Sequence, residues 1–150
     1  MSRALPKTAA RTQPENLGVL LREPFMVMSE RLHRYFAEHG HPEVRPPHGN
    51  VLQYLDDEGT RVSELAARAQ ITKQSMAELV VHLERHGYVE RVADPSDRRA
   101  KLVRATAKGG EVYVLAHEFV ARSEAEWERK LGKRKVDQLR ELLVELNSTL

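Results

Sequence analysis

Hydrophobic residues recur at intervals of three and four along most of the chain, which is the period of an amphipathic helix. The first such run covers residues 15–40, and the Pro-rich segment 41–47 interrupts it. A short second helix is then predicted, with Pro47 in its first turn and its end around Gly59. In the last third of the chain the same spacing predicts two more helices, separated by Gly132. The pattern therefore predicts a mainly α-helical protein with long helices at both ends.

Two shorter helices are predicted in the centre of the chain. Ser63 occupies the position of an N-terminal cap for the first of them, which extends for about two turns. Thr72 caps the second, whose apolar residues follow at helical spacing until Gly87 supplies a left-handed C-terminal stop. Only about three residues separate the two helices, and the small side chains of Ala66 and Ala67 allow their backbones to cross closely. This arrangement predicts a helix-turn-helix.

Residues 88–104 change to the alternating period of β-strands. Segments 88–92 and 101–104 alternate apolar and polar residues, and the turn residues Asp94–Pro95–Ser96–Asp97 lie between them. They predict a β-hairpin, and a third short strand near residues 60–62 would complete a small sheet. Because a helix-turn-helix followed by a hairpin is a winged-helix arrangement, the predicted fold class is mainly α with a small β-hairpin wing.

The same pattern divides the chain into four segments. Residues 1–14 lack apolar periodicity and are predicted to form a mobile basic arm. Residues 15–45 are predicted to form an N-terminal dimerisation helix, residues 46–108 a winged helix-turn-helix lobe, and residues 109–150 the C-terminal dimerisation helices. The terminal helices are longer than the wing requires, and their apolar faces predict burial against a second copy of the chain in a symmetric homodimer.

Composition narrows the function classes. The chain has 150 residues, of which 41% are hydrophobic, so it is long enough for one domain with a substantial core. It contains no cysteine, which excludes disulfides, thiolate metal sites and thiol-based redox switches within the chain. No apolar run is long enough to span a bilayer, and the first residues do not resemble a signal peptide. These features predict a cytoplasmic protein without a membrane partner.

The net charge of +2 conceals an uneven distribution. Residues 61–108 contain 10 Lys and Arg against 6 Asp and Glu, a balance of +4, whereas residues 1–60 and 109–150 each have a balance of −1. A basic centre between nearly neutral ends is typical of a polyanion-binding module on a scaffold, although a solvated surface gives the same count.

The helix that begins at Thr72 is predicted to enter the major groove of double-stranded DNA with its polar N-terminal end. Glutamine can bond adenine, lysine can reach guanine or a phosphate, and a helix N-terminus favours phosphate. At the hairpin tip, Arg98 and Arg99 would project toward the minor groove, with Asp97 pairing with Arg99. The candidate DNA-binding residues are Ser63, Thr72, Lys73, Gln74, Ser75, Glu78, Asp97, Arg98, Arg99 and Lys101, and His82 is also predicted to face outward.

Other function classes find weaker support in the residues. The chain lacks the nucleophile-elbow, phosphate-loop, dinucleotide-binding and H-E-x-x-H motifs, so no catalytic residue and no cofactor is predicted. A zinc-responsive regulator of the same fold stays open, because His39 and His41 lie close to Glu38 and Glu43 in the sequence, and His82 and His86 are spaced i, i+4 on one helix. A loop with surface histidines explains the first pair as well. A helical protein-interaction adaptor without DNA binding is the second alternative.

The wing residues resemble those of a known family. Asp94–Pro95–Ser96–Asp97–Arg98–Arg99, followed by Val103, Thr106 and Gly109, is similar to the wing signature D-x-R-x-x-x-V-x-L-T-x-x-G of the MarR (multiple antibiotic resistance regulator) family. The resemblance extends from the first long helix to the end of the chain. It departs from the signature at Ala105, where leucine is usual.

The resemblance implies a ligand-responsive transcriptional regulator, expected to be a repressor, that binds a pseudo-palindromic operator as a homodimer. It implies that Arg99 is the minor-groove probe, that Asp97 orients it, and that residues 72–75 begin the recognition helix. It also implies a cleft for a small aromatic effector between the dimerisation region and the DNA-binding lobe. The candidate lining residues are Arg22, Phe25, Met26, Met28, Tyr35 and His48.

Overall fold

The computed structural model describes residues 16–150. Within that range it contains six α-helices and one two-stranded sheet, and none of these helices is long and apolar enough to cross a membrane. The predicted basic arm, residues 1–14, lies outside the described residues. The elements are α1 (Leu17–Glu38), a 3-10 turn (Pro46–His48), α2 (Gly49–Leu52), α3 (Val62–Arg68), α4 (Lys73–Arg85), β1 (Val89–Asp94), β2 (Asp97–Ala105), α5 (Ala107–Leu131) and α6 (Lys133–Asn147).

The first long helix agrees with its prediction. α1 begins after Asn16, whose side-chain Oδ1 accepts a hydrogen bond from the Val19 amide at 3.1 Å. It ends at Glu38, and Gly40 follows with a φ of 88°, in the left-handed region. A side-chain cap at one end and a glycine after the other therefore limit the helix close to the predicted bounds.

The second helix is shorter than predicted. The expectation that it ends around Gly59 is wrong, because α2 ends at Leu52. The Asp56 amide donates a hydrogen bond to Thr60 Oγ1 at 2.9 Å, which closes a turn instead of continuing the helix. Gly59 has a φ of 101°, and a Cβ at this position would lie only 2.9 Å from the Leu102 Cβ, so glycine is required where the chain passes the sheet.

The start of α3 differs from the prediction. Its N-cap is Arg61, which has an extended backbone, and Ser63 lies exposed within the first turn. The Glu64 and Leu65 amides both donate to the Arg61 carbonyl at 3.0 Å, so the helix has already begun before Ser63 could cap it. The prediction of Ser63 as the cap is therefore wrong, although the helix itself is where the sequence predicted it.

The turn and the second helix of the helix-turn-helix follow from local chemistry. Gln70 takes a φ of 55° in the turn, a left-handed conformation in which glycine is more usual. Thr72 caps α4 as predicted, because its Oγ1 accepts a hydrogen bond from the Ser75 amide at 3.1 Å. Gly87 follows α4 with a φ of 78°, which confirms the predicted left-handed stop.

The hairpin is confirmed, and the predicted third strand is reduced to one residue. β1 and β2 pair in antiparallel fashion. Thr60 and Val103 exchange two backbone hydrogen bonds of 2.8 and 2.9 Å, which add a single bridge to the edge of β2. The bridge extends no further along residues 60–62 because Val62 already begins α3.

The hydrophobic core lies where the end of α1, the helix-turn-helix, the sheet and the start of α5 meet. It is continuous through these elements, so the wing and the recognition helix share one support. The first half of α1 and most of α6 lie outside it. The buried members are Phe36, Val44, Val51, Leu65, Ala66, Met76, Val80, Leu83, Tyr88, Val89, Val103 and Val112.

His48 lies buried at the end of the 3-10 turn, beside α4. Its Nδ1 accepts a hydrogen bond from the Arg45 amide at 2.9 Å, and its ring stacks on the ring of His82 with the centroids 4.2 Å apart. Burial, followed by the charges of neighbouring histidines and Arg45, lowers the pKa of His48 from 6.5 to about 4. The folded protein therefore keeps this imidazole neutral at pH 7.

The free energy of unfolding is expected to fall as the pH decreases from about 7 to about 4. The unfolded chain protonates His48 near its ordinary pKa and the folded chain only near pH 4, so the unfolded state binds more protons in this window. The expected loss is at most about 3 kcal/mol, measured by chemical denaturation at several pH values. His48→Asn keeps an acceptor for the Arg45 amide but does not titrate, so its stability should depend less on pH. Equal pH dependence in the two proteins would contradict this role of His48.

Candidate nucleic-acid interface

Helix α4 presents the polar residues of its first turns to solvent. Met76, Val80 and Leu83 are buried against the core, and this orientation turns the opposite face of the helix outward. The Thr72 hydroxyl also bonds the Ser75 hydroxyl at 2.9 Å, which holds two donors side by side at the helix start. The exposed residues of this segment are Thr72, Lys73, Gln74, Ser75 and Glu78, as the sequence predicted.

The outward face of α4 continues beyond the predicted residues. From Gln74 and Glu78, helical spacing leads to Val81 and Arg85, and both are exposed. Val81 exposes 44% of its surface although it is apolar. Sequence reasoning missed these two positions because Val80, next to Val81, belongs to the core. Continuing the spacing from Gln74 would have identified them.

His82 was expected on the outward face, and this prediction is wrong. Its ring is half-buried, its Nε2 lies 3.0 Å from the Glu43 carbonyl oxygen, and it stacks on His48. The side chain therefore faces the segment before α2. The reason is its angular position on the helix, between the core face and the solvent face, where the neighbouring 3-10 turn covers it.

The two arginines of the wing lie on a bulge of β2. Ala93 pairs with Lys101, but the next residue of β1, Asp94, pairs with Asp97. Three residues of β2, 98–100, therefore have no counterpart on β1, and bulged residues of this kind are displaced from the regular ladder. Arg98 and Arg99 are both exposed at this place, as is Lys101. The predicted basic tip is thus built into the strand that follows the turn.

Asp97 holds the bulge through the backbone. Its Oδ1 accepts a hydrogen bond from the Arg99 amide at 3.0 Å. The sequence predicted that Asp97 pairs with the guanidinium of Arg99. In the structure Asp97 contacts the main-chain amide of Arg99 instead. The physical reason is the two-residue separation, which favours a bond from the aspartate side chain to a nearby amide. Asp97 therefore shapes the backbone that carries Arg99.

Asp94 anchors the turn, a role that sequence reasoning missed. Its carboxylate accepts hydrogen bonds from the Ser96 amide at 2.8 Å and the Ser96 hydroxyl at 2.6 Å, and it receives two more from the Arg61 guanidinium. The bonds from Ser96, and next those from Arg61, lower the pKa of Asp94 to about 2. The D-P-S-D segment indicated the turn itself. The sequence did not indicate Arg61 as a partner of Asp94, because the two residues lie 33 positions apart.

The cations of residues 61–104 fall into two groups. Arg61, Arg68, Arg91 and Arg104 form ion pairs of 2.5 to 3.1 Å with carboxylates, which neutralise much of their charge. The second group forms no ion pair with any of residues 16–150 and lies on α4 and the wing. Its charge is available to a polyanion. This group consists of Lys73, Arg85, Arg98, Arg99 and Lys101.

A cavity of about 530 Å³ lies between α1, the start of α2 and α5. Phe25 and Met28 line it, together with residues of both other helices. The other predicted lining residues lie elsewhere. Tyr35 turns its hydroxyl toward Glu118 of α5 at 3.4 Å and its ring toward Phe119. His48 is directed at α4, and Arg22 and Met26 are exposed outside the cavity.

The histidines considered for zinc are engaged in other contacts. His39 Nδ1 lies 2.8 Å from the Tyr35 carbonyl oxygen, and His41 Nδ1 lies 3.3 Å from the Tyr88 hydroxyl. The ring of His86 packs on that of His82, whose Nε2 is directed at the Glu43 carbonyl. Within the part of the chain that the structure describes, no three His, Asp or Glu side chains are grouped as metal ligands. The geometry therefore adds nothing in favour of the zinc alternative.

Sequence comparison finds a family with the same central region. The MarR family model matches residues 44–100, which include the helix-turn-helix and most of the wing. The chain is also 31% identical over 98 residues to the transcriptional regulator HosA of Escherichia coli O127:H6, a match that covers 59% of this chain and 73% of HosA. A match to HosA of E. coli O111:H- has the same identity over 80 residues and covers 59% of that protein.

Solved structures share the fold over nearly the whole chain. The reduced form of MarR from E. coli superposes with a TM-score of 0.75 at 21% identity, covering 90% of this chain and 98% of that one. The Staphylococcus aureus MepR–DNA complex gives a TM-score of 0.72 at 19% identity, with 91% and 100% covered. The regulator Tm0710 of Thermotoga maritima is 28% identical, with a TM-score of 0.61 and 88% and 92% covered.

The fold, the cations of α4 and the wing that form no ion pair within residues 16–150, and these similarities define a winged helix-turn-helix transcriptional regulator. More specifically, the chain belongs to the MarR family, whose members are DNA-binding regulators and not enzymes. The family resemblance inferred from the wing signature is thereby confirmed.

Proposed function

We propose that the protein is a homodimeric repressor that binds a pseudo-palindromic operator and releases it when a small ligand binds. The observation that carries the proposal is the position of the cations without ion-pair partners among the described residues. They lie on two neighbouring elements, the recognition helix α4 and the wing, and both elements project from one core. Positive charge on two adjacent elements can bind a DNA duplex, because phosphates line both sides of each groove.

In this proposal α4 supplies the base contacts in the major groove. Gln74 can bond both N6 and N7 of adenine, Glu78 can accept from cytosine N4, and Val81 can contact the methyl group of thymine. Lys73 and the free amides of the first turn can bind the phosphate beside the groove. These chemistries differ along one helix face, so α4 can discriminate between sequences.

The wing supplies the minor-groove contact. Arg99 lies on the bulge, and a narrow A·T-rich minor groove has the negative potential that attracts an arginine. Arg98 and Lys101 lie close by and can bind phosphates. This contact depends on groove shape and charge more than on base identity, so it contributes mainly to affinity.

The homodimer follows from apolar surface outside the core. Residues at helical spacing on the first half of α1 and on α6 leave large side chains in water, which is costly unless a partner covers them. A second copy covers the same surface on both chains and places two recognition helices about one helical turn of DNA apart. The exposed residues on these faces are Leu17, Leu20, Leu21, Phe25, Val27, Leu139, Leu142 and Leu146.

The cavity between α1, α2 and α5 is the proposed effector site. Its aromatic and aliphatic lining, with the side chains of Asn50 and His117 among it, suits a small aromatic acid. Residues of the dimerisation helices and of the DNA-binding lobe both line the cavity. A bound ligand can therefore favour one orientation of the lobe relative to the dimerisation helices. Such a ligand weakens DNA binding only if its affinity differs between the two orientations.

Two substitutions separate the proposed contacts. Arg99→Ala should weaken binding roughly tenfold on most duplexes, because it removes a sequence-independent contact. Gln74→Ala should mainly reduce the preference for a selected operator, since a bidentate contact to adenine discriminates by about 1–3 kcal/mol. Fluorescence anisotropy with selected and scrambled duplexes measures both, and Arg129→Ala on α5 is the charge-matched control. Equal, sequence-independent losses for the two variants would contradict this division.

The dimer is tested on α6. Leu142 exposes 63% of its surface, and Leu142→Glu should shift the protein to monomers because a buried charge at the interface is unfavourable. Sedimentation velocity measures the shift, and DNA affinity should fall with it. Val144→Glu, at an equally exposed apolar position on the opposite side of the same helix, introduces the same charge as a control. A dimer that persists in Leu142→Glu would exclude this face as the interface.

Ligand response is tested by titrating a panel of phenolic acids into the protein–DNA complex. We expect at least one to release the DNA, and Ala116→Trp, which fills the cavity from α5, should abolish that response while retaining DNA binding. If no acid changes DNA affinity, or if the filled cavity still responds, the proposed effector site is wrong.

A further inference from the structure

The base of the wing is tied to the start of α3 by one side chain. Arg61 follows Thr60, whose backbone pairs with Val103 of β2, so Arg61 emerges directly beside the sheet. Its Nε and Nη2 donate hydrogen bonds to Asp94 Oδ2 at 2.8 and 2.5 Å. Asp94 is the last residue of β1. A guanidinium on the helix-turn-helix therefore holds the end of the strand that leads into the turn.

The carboxylate of Asp94 has all of its bonding capacity in use. It is only 5% exposed, and its other oxygen accepts from the amide and the hydroxyl of Ser96. A buried carboxylate is stable only with such partners, so removing Arg61 would leave part of its charge uncompensated. Asp94 thus connects the conformation of the turn to the position of Arg61.

The second carboxylate of the turn also faces Arg61. Asp97 Oδ2 lies 3.8 Å from Arg61 Nη2, and Asp97 Oδ1 holds the Arg99 amide. Contacts therefore run without a gap from the N-terminus of α3 through Arg61 to the bulge that carries Arg99. Because α3 packs on α4 through the core, the same contacts fix the bulge relative to the recognition helix.

We infer that Arg61 is a positioning residue, which with Asp94 clamps the wing to the helix-turn-helix so that Arg99 and α4 reach the DNA together. The inference rests on the proposed function, in which Arg99 contacts DNA. The charge of Arg61 is engaged by two carboxylates, unlike that of the cations on α4 and the wing tip, so its effect on DNA binding acts through the wing.

Removing the carboxylate distinguishes the clamp from simple electrostatics. Asp94→Asn makes the protein more positive by one charge, so electrostatics alone predicts tighter binding to DNA. Loss of the clamp predicts weaker binding, by about fivefold. Asp57→Asn, an exposed position in the loop before Thr60, is the charge-matched control and should bind no more weakly than the unchanged protein. If Asp94→Asn binds DNA as tightly as Asp57→Asn, the clamp is excluded.

A double-mutant cycle tests whether Arg61 acts through the wing. Arg61→Gln should weaken DNA binding about tenfold alone and in the Gln74→Ala background, but less than twofold in the Arg99→Ala background, where the wing contact is already lost. Equal losses in all backgrounds would show that Arg61 acts independently of the wing and would overturn the inference. Full affinity of Arg99→Ala alone would instead contradict the proposed function, so the two failures are distinguishable.

Folding is monitored by circular dichroism for each variant. If Arg61→Gln lowers the melting temperature so far that the protein is unfolded in the binding assay, Arg61→Lys replaces it in the cycle. Lysine keeps the charge but lacks the planar group that donates two bonds to one carboxylate. The same dependence on the Arg99 background is then expected, and its absence overturns the clamp.

Discussion

The structure depends most on the burial of Tyr88 at the point where three parts of the chain meet. Its hydroxyl donates to Glu43 Oε2 at 2.8 Å, which ties in the segment after α1. The Lys108 ammonium lies 4.2 Å from its ring centroid. The backbone carbonyl of Tyr88 accepts a hydrogen bond from the Thr106 amide. A Cβ on Gly109 would lie 2.2 Å from this carbonyl oxygen. Only glycine permits this approach, so α5 starts against the end of the recognition lobe.

This junction explains how a small lobe can be supported by long helices. Tyr88 lies between Gly87, the left-handed residue after α4, and the first residue of β1. Its burial therefore fixes the end of the recognition helix and the start of the wing together. The Arg61–Asp94 contact fixes the wing again at its far end. Between these two points, the strands and α4 have little freedom to move separately. A ligand bound beside α5 would therefore shift the lobe as one unit.

Local rules predicted most of the fold and part of the site. Thr72 and Gly87 were identified because caps and left-handed stops depend on residues within one turn of the helix. The basic wing followed from its turn residues. The orientation of His82 and the partner of Asp94 could not be predicted, because each depends on a residue distant in sequence. The cap of α3 was assigned to Ser63 because serine is a common cap, whereas the local hydrogen bonds begin the helix at Arg61. Arg61 and Asp94 are separated by 33 positions, and only the sheet brings them together.

The central claim is that α4 and the wing form one rigid DNA-reading surface, presented twice by a symmetric dimer. Footprinting on a duplex selected from a random library tests it most directly. We expect dimethyl sulfate protection in two major-groove segments about one helical turn apart, with hydroxyl-radical protection of the minor groove on their outer sides. In Arg99→Ala the outer protection should disappear and the major-groove protection remain. A single one-sided footprint, or outer protection that persists in Arg99→Ala, would contradict the claim.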